Sequence, residues 1–143
     1  MKTINNLEDV IDIRDVIERF EELESEFEAA MENVPDNERG NMDNAAWKEW
    51  AESEEAEELK TLTSLLDDFK GAGGDEQWRD DWYPVTLIRD SYFTDYTKEL
   101  LEECGYIPKD FPSWIEVDWD ATAENVRIDY TSAEFGDVTY WAR

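Results

Sequence analysis

Between Ile13 and Val34 the apolar side chains fall at Ile13, Val16, Phe20, Leu23, Phe27, Ala30 and Val34, in steps of three and four residues by turns. That period gathers them into one stripe along an α-helix and leaves the other faces polar. Asn6 is a candidate N-cap, and Glu8 and Asp9 would sit in the first turn, where negative charge meets the positive end of the helix dipole. The pattern therefore predicts a first helix from about residue 7 to 33.

The stretch Pro35-Asp36-Asn37-Glu38-Arg39-Gly40-Asn41 breaks that helix. Asp43 or Asn44 can then cap a second helix carrying Trp47, Trp50, Leu59, Leu62, Leu65, Leu66 and Phe69, a stripe that matches the first. Two long antiparallel helices joined by a short loop follow, each roughly 40 Å long at ~1.5 Å per residue. Residues 1–70 are thus expected to form an acidic, coiled-coil-like helical hairpin. Gly71-Ala72-Gly73-Gly74-Asp75 opens an expected linker over residues 71–77.

Residues 78–143 have a different composition. Fourteen of the nineteen aromatic residues lie there, from Trp78 to Trp141, and such large side chains can build a core even among many acids. Asp90 or Ser91 can cap a helix through Tyr96, Leu100 and Leu101 that stops at Gly105. Asp118 can cap another through Ala123 and Val126. Gly136-Asp137 between Thr131–Phe135 and Val138–Ala142 is a two-residue β-hairpin signal. The expected fold class is α+β, mainly α: a helical hairpin followed by a small aromatic-rich domain of two or three helices and a C-terminal β-hairpin.

Charge sets the functional argument. The 143 residues hold 39 acids and 13 bases, a formal net charge of −26, with no histidine and one cysteine. Such a charge opposes compaction, and it exceeds the roughly 2 to 8 units that keep a small domain soluble. It is spread over the chain: through Gly71 the balance is −15, and beyond it −11. Direct binding to DNA, RNA or an anionic membrane is disfavoured, because each requires a basic face. The expected partner is basic.

Glu18, Glu22 and Glu26 form an i, i+4 row on the first helix, as do Glu24, Glu28 and Glu32; Glu54 and Glu58 repeat the spacing on the second. Like charges so placed weaken a helix by roughly 0.2 to 0.5 kcal/mol per pair. The rows can imitate phosphates, since duplex DNA carries a charge per ~1.7 Å of axis and carboxylates meet the same Lys and Arg side chains. Glu18, Glu22, Glu26, Glu28, Glu32, Glu54, Glu55 and Glu58 are the candidate partner-binding acids. A solvated face that only keeps the protein in solution is the plainer reading of the same rows.

Without histidine, and with Cys104 as the sole thiol, the common base, nucleophile and histidine–metal systems are absent. Asp118 and Asp120, with Glu116 and Glu124, form the tightest acidic cluster for a divalent cation, although Asp118 also reads as a helix cap. A paired-carboxylate glycosidase is formally open, but nothing selects its pair. The expectation is a protein that is no enzyme and holds neither metal nor cofactor.

Trp78, Trp82 and Tyr83 lie beside the glycine-rich stretch, where exposed aromatics can anchor an interface; folding back onto the core is the competing role. An adaptor or assembly protein that binds through apolar residues is therefore the alternative function, its acids serving solubility. The first-helix stripe can also pair with a second copy, giving a homodimer. The start Met1-Lys2-Thr3-Ile4-Asn5-Asn6 lacks an apolar signal core, and no run approaches a membrane span, so a cytoplasmic location is expected.

Three stretches resemble small acidic proteins of unassigned function encoded by bacteriophages and prophages: Leu7-Glu8-Asp9-Val10-Ile11-Asp12-Ile13-Arg14-Asp15-Val16-Ile17, Leu87-Ile88-Arg89-Asp90-Ser91-Tyr92-Phe93, and the ending from Asp129-Tyr130-Thr131 to Tyr140-Trp141-Ala142-Arg143. In charge, size and helical content the chain is also similar to phage antirestriction and anti-CRISPR proteins, many of them acidic DNA mimics. The resemblance implies a phage context, hence a host-cell cytoplasm, and an inhibitor that blocks a host nucleic-acid-binding defence complex. It carries over no functional residues.

Overall fold

The computed structural model describes residues 4–143. Among them lie five α-helices and two small sheets, an α+β fold. The larger sheet holds four antiparallel strands in the order β1, β4, β6, β5, formed by Val10–Asp12, Thr86–Arg89, Val138–Ala142 and Thr131–Phe135. The smaller is the hairpin of β2 (Asp75–Trp78) and β3 (Asp81–Tyr83).

Side-chain alternation along the strands sorts the core into two layers. Leu87, Tyr140 and Ala142 face one side, where they meet Val16, Phe20 and Leu23 of α1 (Ile13–Ala30) and Leu62, Leu65 and Phe69 of α3 (Glu54–Phe69). Their neighbours Ile88 and Trp141 face the other side, packing with Phe93 and Tyr96 of α4 (Phe93–Glu103) and Ala123 and Val126 of α5 (Trp119–Arg127). The sheet is thus sandwiched between two helical layers. Tyr140, fully buried, donates its hydroxyl hydrogen bond to the Glu8 carbonyl at 2.5 Å, tying the segment before β1 to the last strand.

The first helix begins later than its stripe predicts. Residues 10–12 pair with β4 instead, Ile11 opposite Leu87, and Asp12 is the true N-cap, accepting the Arg14 backbone N–H at 2.9 Å. Asn6 caps nothing; its side-chain amide donates to the Phe135 carbonyl across the sheet. The stripe residues Ile13, Val16, Phe20 and Leu23 are buried in the chain's own core, so they are not a seam for a second copy.

The second helix is two. Asn44 caps α2 (Ala45–Ala51) through the Trp47 N–H, and the chain breaks at Glu52 and Ser53, where the Ser53 hydroxyl caps α3 through the Ala56 N–H at 3.2 Å. α1 packs against both pieces, Arg19 meeting Glu58 of α3 and Phe27 meeting Trp50 of α2. The long rod is therefore absent. α2 lays Trp47 and Trp50 against Phe27, with ring centroids 6.3 and 5.4 Å apart.

The glycine-rich stretch is not a linker between separate cores. α1 and α3 share one core with Tyr83, Leu87, Ala133 and Tyr140, which joins residues 4–70 to residues 78–143. Gly71 donates its N–H to the Trp82 carbonyl at 2.7 Å. At Gly74, φ is +69° and a Cβ would lie 1.9 Å from the Tyr83 carbonyl oxygen, so only glycine fits. Four expectations hold: Asn44 and Asp118 cap α2 and α5, Gly105 follows α4 with φ +79°, and Gly136-Asp137 turns β5 into β6, Phe135 opposite Val138.

Candidate functional site

Six acids occupy α1 between Glu18 and Glu28: Glu18, Glu21, Glu22, Glu24, Glu26 and Glu28. The core takes the side of the helix that carries Ile13, Val16, Phe20 and Leu23, which forces the acids outward or to its flanks. Glu18, Glu21, Glu26, Glu28 and the following Glu32 are exposed.

Two of the six are held by arginines. Arg19 grips Glu58 of α3 with both ends of its guanidinium, at 2.9 and 2.7 Å, and Glu22 one turn on at 3.0 Å. That side chain is only 15% exposed. The hydrogen bonds that Arg19 donates to Glu58 raise the guanidinium pKa above its ordinary value, although desolvation works against it. This bidentate clamp fastens α1 to α3. Glu22 and Glu58, expected among the partner-binding acids, are thus half-buried structural groups.

Arg79 does a comparable task on the other flank. It pairs with Glu24 at 2.8 Å and stacks on the Trp78 ring with its guanidinium carbon 4.0 Å from the centroid. The residue sits in the β2–β3 turn at φ 51°, followed by Asp80 at φ 63°. Two non-glycine residues in the left-handed region make the turn that matches the hairpin's twist, at a local conformational cost offset by those contacts.

On α3, Glu54, Glu55 and Glu57 fall in the first turn. There each stabilises the helix by roughly 0.3 to 1 kcal/mol through the dipole, so these acids have a structural role whatever else they do. The predicted row Glu54–Glu58 therefore divides: Glu54 and Glu55 are exposed at the helix start, while Glu58 belongs to the clamp.

Of the aromatic candidates, Tyr83 is 3% exposed and belongs to the core. Trp78 is half-buried, edge-on to Phe20 with centroids 5.2 Å apart. Burial pushes the Tyr83 hydroxyl pKa up. Trp82 is the most open of the three, at 53% exposure. Trp114, which no periodicity singles out, is more open at 80%. It lies on the irregular stretch between α4 and α5, where Pro108 and Pro112 were the available signal.

The Asp118 cluster is a capping arrangement. Asp118 accepts the Ala121 N–H at 3.0 Å, and Asp120 accepts the Thr94 hydroxyl at 3.2 Å. Among the described residues no group of three or more His, Cys, Asp or Glu side chains is placed to hold a metal ion. No helix among them is long and apolar enough to cross a membrane.

The thirteen bases, even if each held one acid, leave 26 acids of the chain uncompensated. No family model matches this chain, and neither a curated protein nor a solved structure is significantly similar to it.

Proposed function

We propose that the protein is an acidic inhibitor of phage type that imitates DNA charge and occupies the basic groove of a host nucleic-acid-binding complex, of the restriction or CRISPR kind. The observation that carries this reading is the outer face of α1. From Glu18 to Glu28 the helix rises about 15 Å, and the four acids there that no arginine engages, Glu18, Glu21, Glu26 and Glu28, follow one another at about 5 Å on average, the same order as the ~3.4 Å per charge of one DNA strand. Glu22 and Glu24 are engaged by arginines, which leaves Glu18, Glu21, Glu26 and Glu28, with Glu32 beyond the helix end, as the docking set. Glu54 and Glu55 at the start of α3 extend it. Helical backbone fixes these groups in rank before binding, so little ordering entropy is lost on contact. A partner's Lys and Arg side chains would meet carboxylates where phosphates normally sit.

The test is capture of partners from bacterial lysate, followed by challenge with duplex DNA. Capture should fall steeply between about 50 and 200 mM salt, as multi-charge contacts do. Duplex DNA should displace whatever is held. Changing Glu18, Glu21, Glu28 and Glu32 together to Gln should weaken capture at least tenfold, with the circular dichroism spectrum unchanged. A partner that DNA does not displace would remove the charge-mimic reading.

A second reading, an adaptor that binds through aromatic side chains, rests on the exposure of Trp82. It expects capture that is indifferent to salt and lost in Trp82→Ala.

A further inference from the structure

The break between α2 and α3 leaves a cavity of about 340 Å³ against the last residue of α1. Ala30 of α1, Ala46, Glu49 and Trp50 of α2, the capping Ser53 and Glu55 of α3 line it. A helix turns about 100° per residue, so on an unbroken one Glu49 and Glu55 would point about 120° apart. The break brings both to one cavity. Among the described residues neither is ion-paired, unlike Glu22, Glu24 and Glu58. The Ser53 hydroxyl is already spent on the Trp50 carbonyl and the Ala56 N–H. Trp50 packs on Phe27 with centroids 5.4 Å apart, which fixes its ring. Lys48 is the one base within four residues of any lining position, and Arg39, which also lies on Phe27, donates to the Met31 carbonyl. Glu28, Glu32, Glu52 and Glu54 keep the surroundings negative.

We propose that this cavity accepts an arginine side chain of the basic partner, an assignment that rests on the charge-mimic reading of α1. Arginine joins an apolar stem to a planar, charged head. The stem suits the two alanines, and the head can stack on the Trp50 indole while it donates to Glu49 and Glu55. A purely apolar side chain would desolvate both carboxylates and give them nothing in return. An anion would be repelled. Lysine brings a compact, strongly hydrated charge that cannot fork onto carboxylates, so the cavity favours arginine. The acids on the outer face of α1 stand on open helix surface, where solvent screens a lysine and an arginine contact alike. The chain makes the same combination once within itself, where Arg79 pairs with Glu24 and stacks on Trp78. In a nucleic-acid-binding groove, the arginine that grips a phosphate would find Glu49 and Glu55 in place of the phosphate oxygens.

Heteronuclear NMR on the full chain, titrated at low salt with acetylated tri-arginine amide and, separately, tri-lysine amide, tests the proposal. Tri-arginine should shift the Trp50 indole N–H and the Ala30 and Ala46 methyl signals, and it should bind about fivefold tighter than tri-lysine. Tri-lysine should shift the acids of α1 and leave those three signals in place. Glu49→Gln together with Glu55→Gln should lower the tri-arginine affinity to that of tri-lysine, with the spectrum otherwise unchanged. Trp50→Leu, which keeps an apolar contact with Phe27, should remove part of the preference. Equal binding of the two peptides along α1, with the Trp50, Ala30 and Ala46 signals unmoved, would overturn the arginine site and leave the charge-mimic reading standing. A double Gln variant that keeps the full preference for arginine would overturn the site as well. Binding of neither peptide would overturn both.

Discussion

At Gly74 the backbone passes so close to β3 that a single methyl group has no room. A Cβ would meet the Tyr83 carbonyl oxygen at 1.9 Å and the Pro84 Cα at 2.6 Å, on a residue whose φ is already +69°. Gly74→Ala must therefore move backbone on both sides, and a loss of about 3 kcal/mol or more is expected in urea unfolding. A flexible linker would tolerate the change, so a wild-type midpoint would refute the packing described for residues 71–78. Tyr140 makes a second residue-scale case. Burial pushes its hydroxyl pKa up to about 12, against ~10 in an unfolded chain. The folded state then keeps a proton that the unfolded state gives up between those values. Stability from this group is full below about pH 10 and is lost as pH rises through about 12. Unfolding midpoints should fall across that window, and Tyr140→Phe should reduce the slope by up to one proton while costing about 1 kcal/mol at neutral pH for the lost hydrogen bond to Glu8.

Four of the five described helices start where a short polar side chain caps them, at Asp12, Asn44, Ser53 and Asp118, while α4 starts without the expected cap from Asp90 or Ser91. Asp118 is the clearest test, because the same residue was a candidate metal ligand. As a cap, its carboxylate serves the Ala121 N–H, and Asp118→Ala should cost about 1 kcal/mol, whereas Asp118→Asn should cost little. Mg²⁺ should leave the melting temperature of all three proteins alike; a Mg²⁺-dependent rise confined to wild type would restore the metal role. Capping signals of this kind are local, which is why Asn44, Asp118 and the Gly136-Asp137 hairpin were legible in the sequence. The start of α1 was not, because Val10–Asp12 is drawn into a strand by β4, some 75 residues away in the chain. Three residues are too few to show a period of two. The break at Ser53 was hidden by an apolar stripe that continues on both sides of it. The candidate site was legible in kind but not in detail. Glu rows are visible in a sequence, yet Arg19 reaching Glu58 across 39 positions is a tertiary event that withdraws two carboxylates from the face. Likewise Trp78 and Tyr83 are core because Phe20 packs against the hairpin that carries them.

For the molecule as a whole, folding gathers 26 uncompensated negative charges onto a particle whose core is held by two helical layers around one small sheet. Self-repulsion is larger in the compact state than in the expanded chain, so screening should favour folding. Raising NaCl from about 20 to 500 mM should lift the melting temperature by about 5 °C or more, since ~1 kcal/mol corresponds to about 4 °C at this size. NaCl and KCl should act alike, because the effect is ionic strength and not site binding. The four-residue Gln variant at Glu18, Glu21, Glu28 and Glu32 separates the two purposes such acids can serve. It should melt higher than wild type at low salt, with the gap closing as salt rises, because it removes repulsion without touching the Arg19 clamp or the caps. If it also loses its partner, then stability has been exchanged for charge along this helix, as expected of a surface kept for binding. A melting temperature that is flat or falling with salt would mean that the folded chain already compensates its acids, and the rank on α1 would then need no function to explain it.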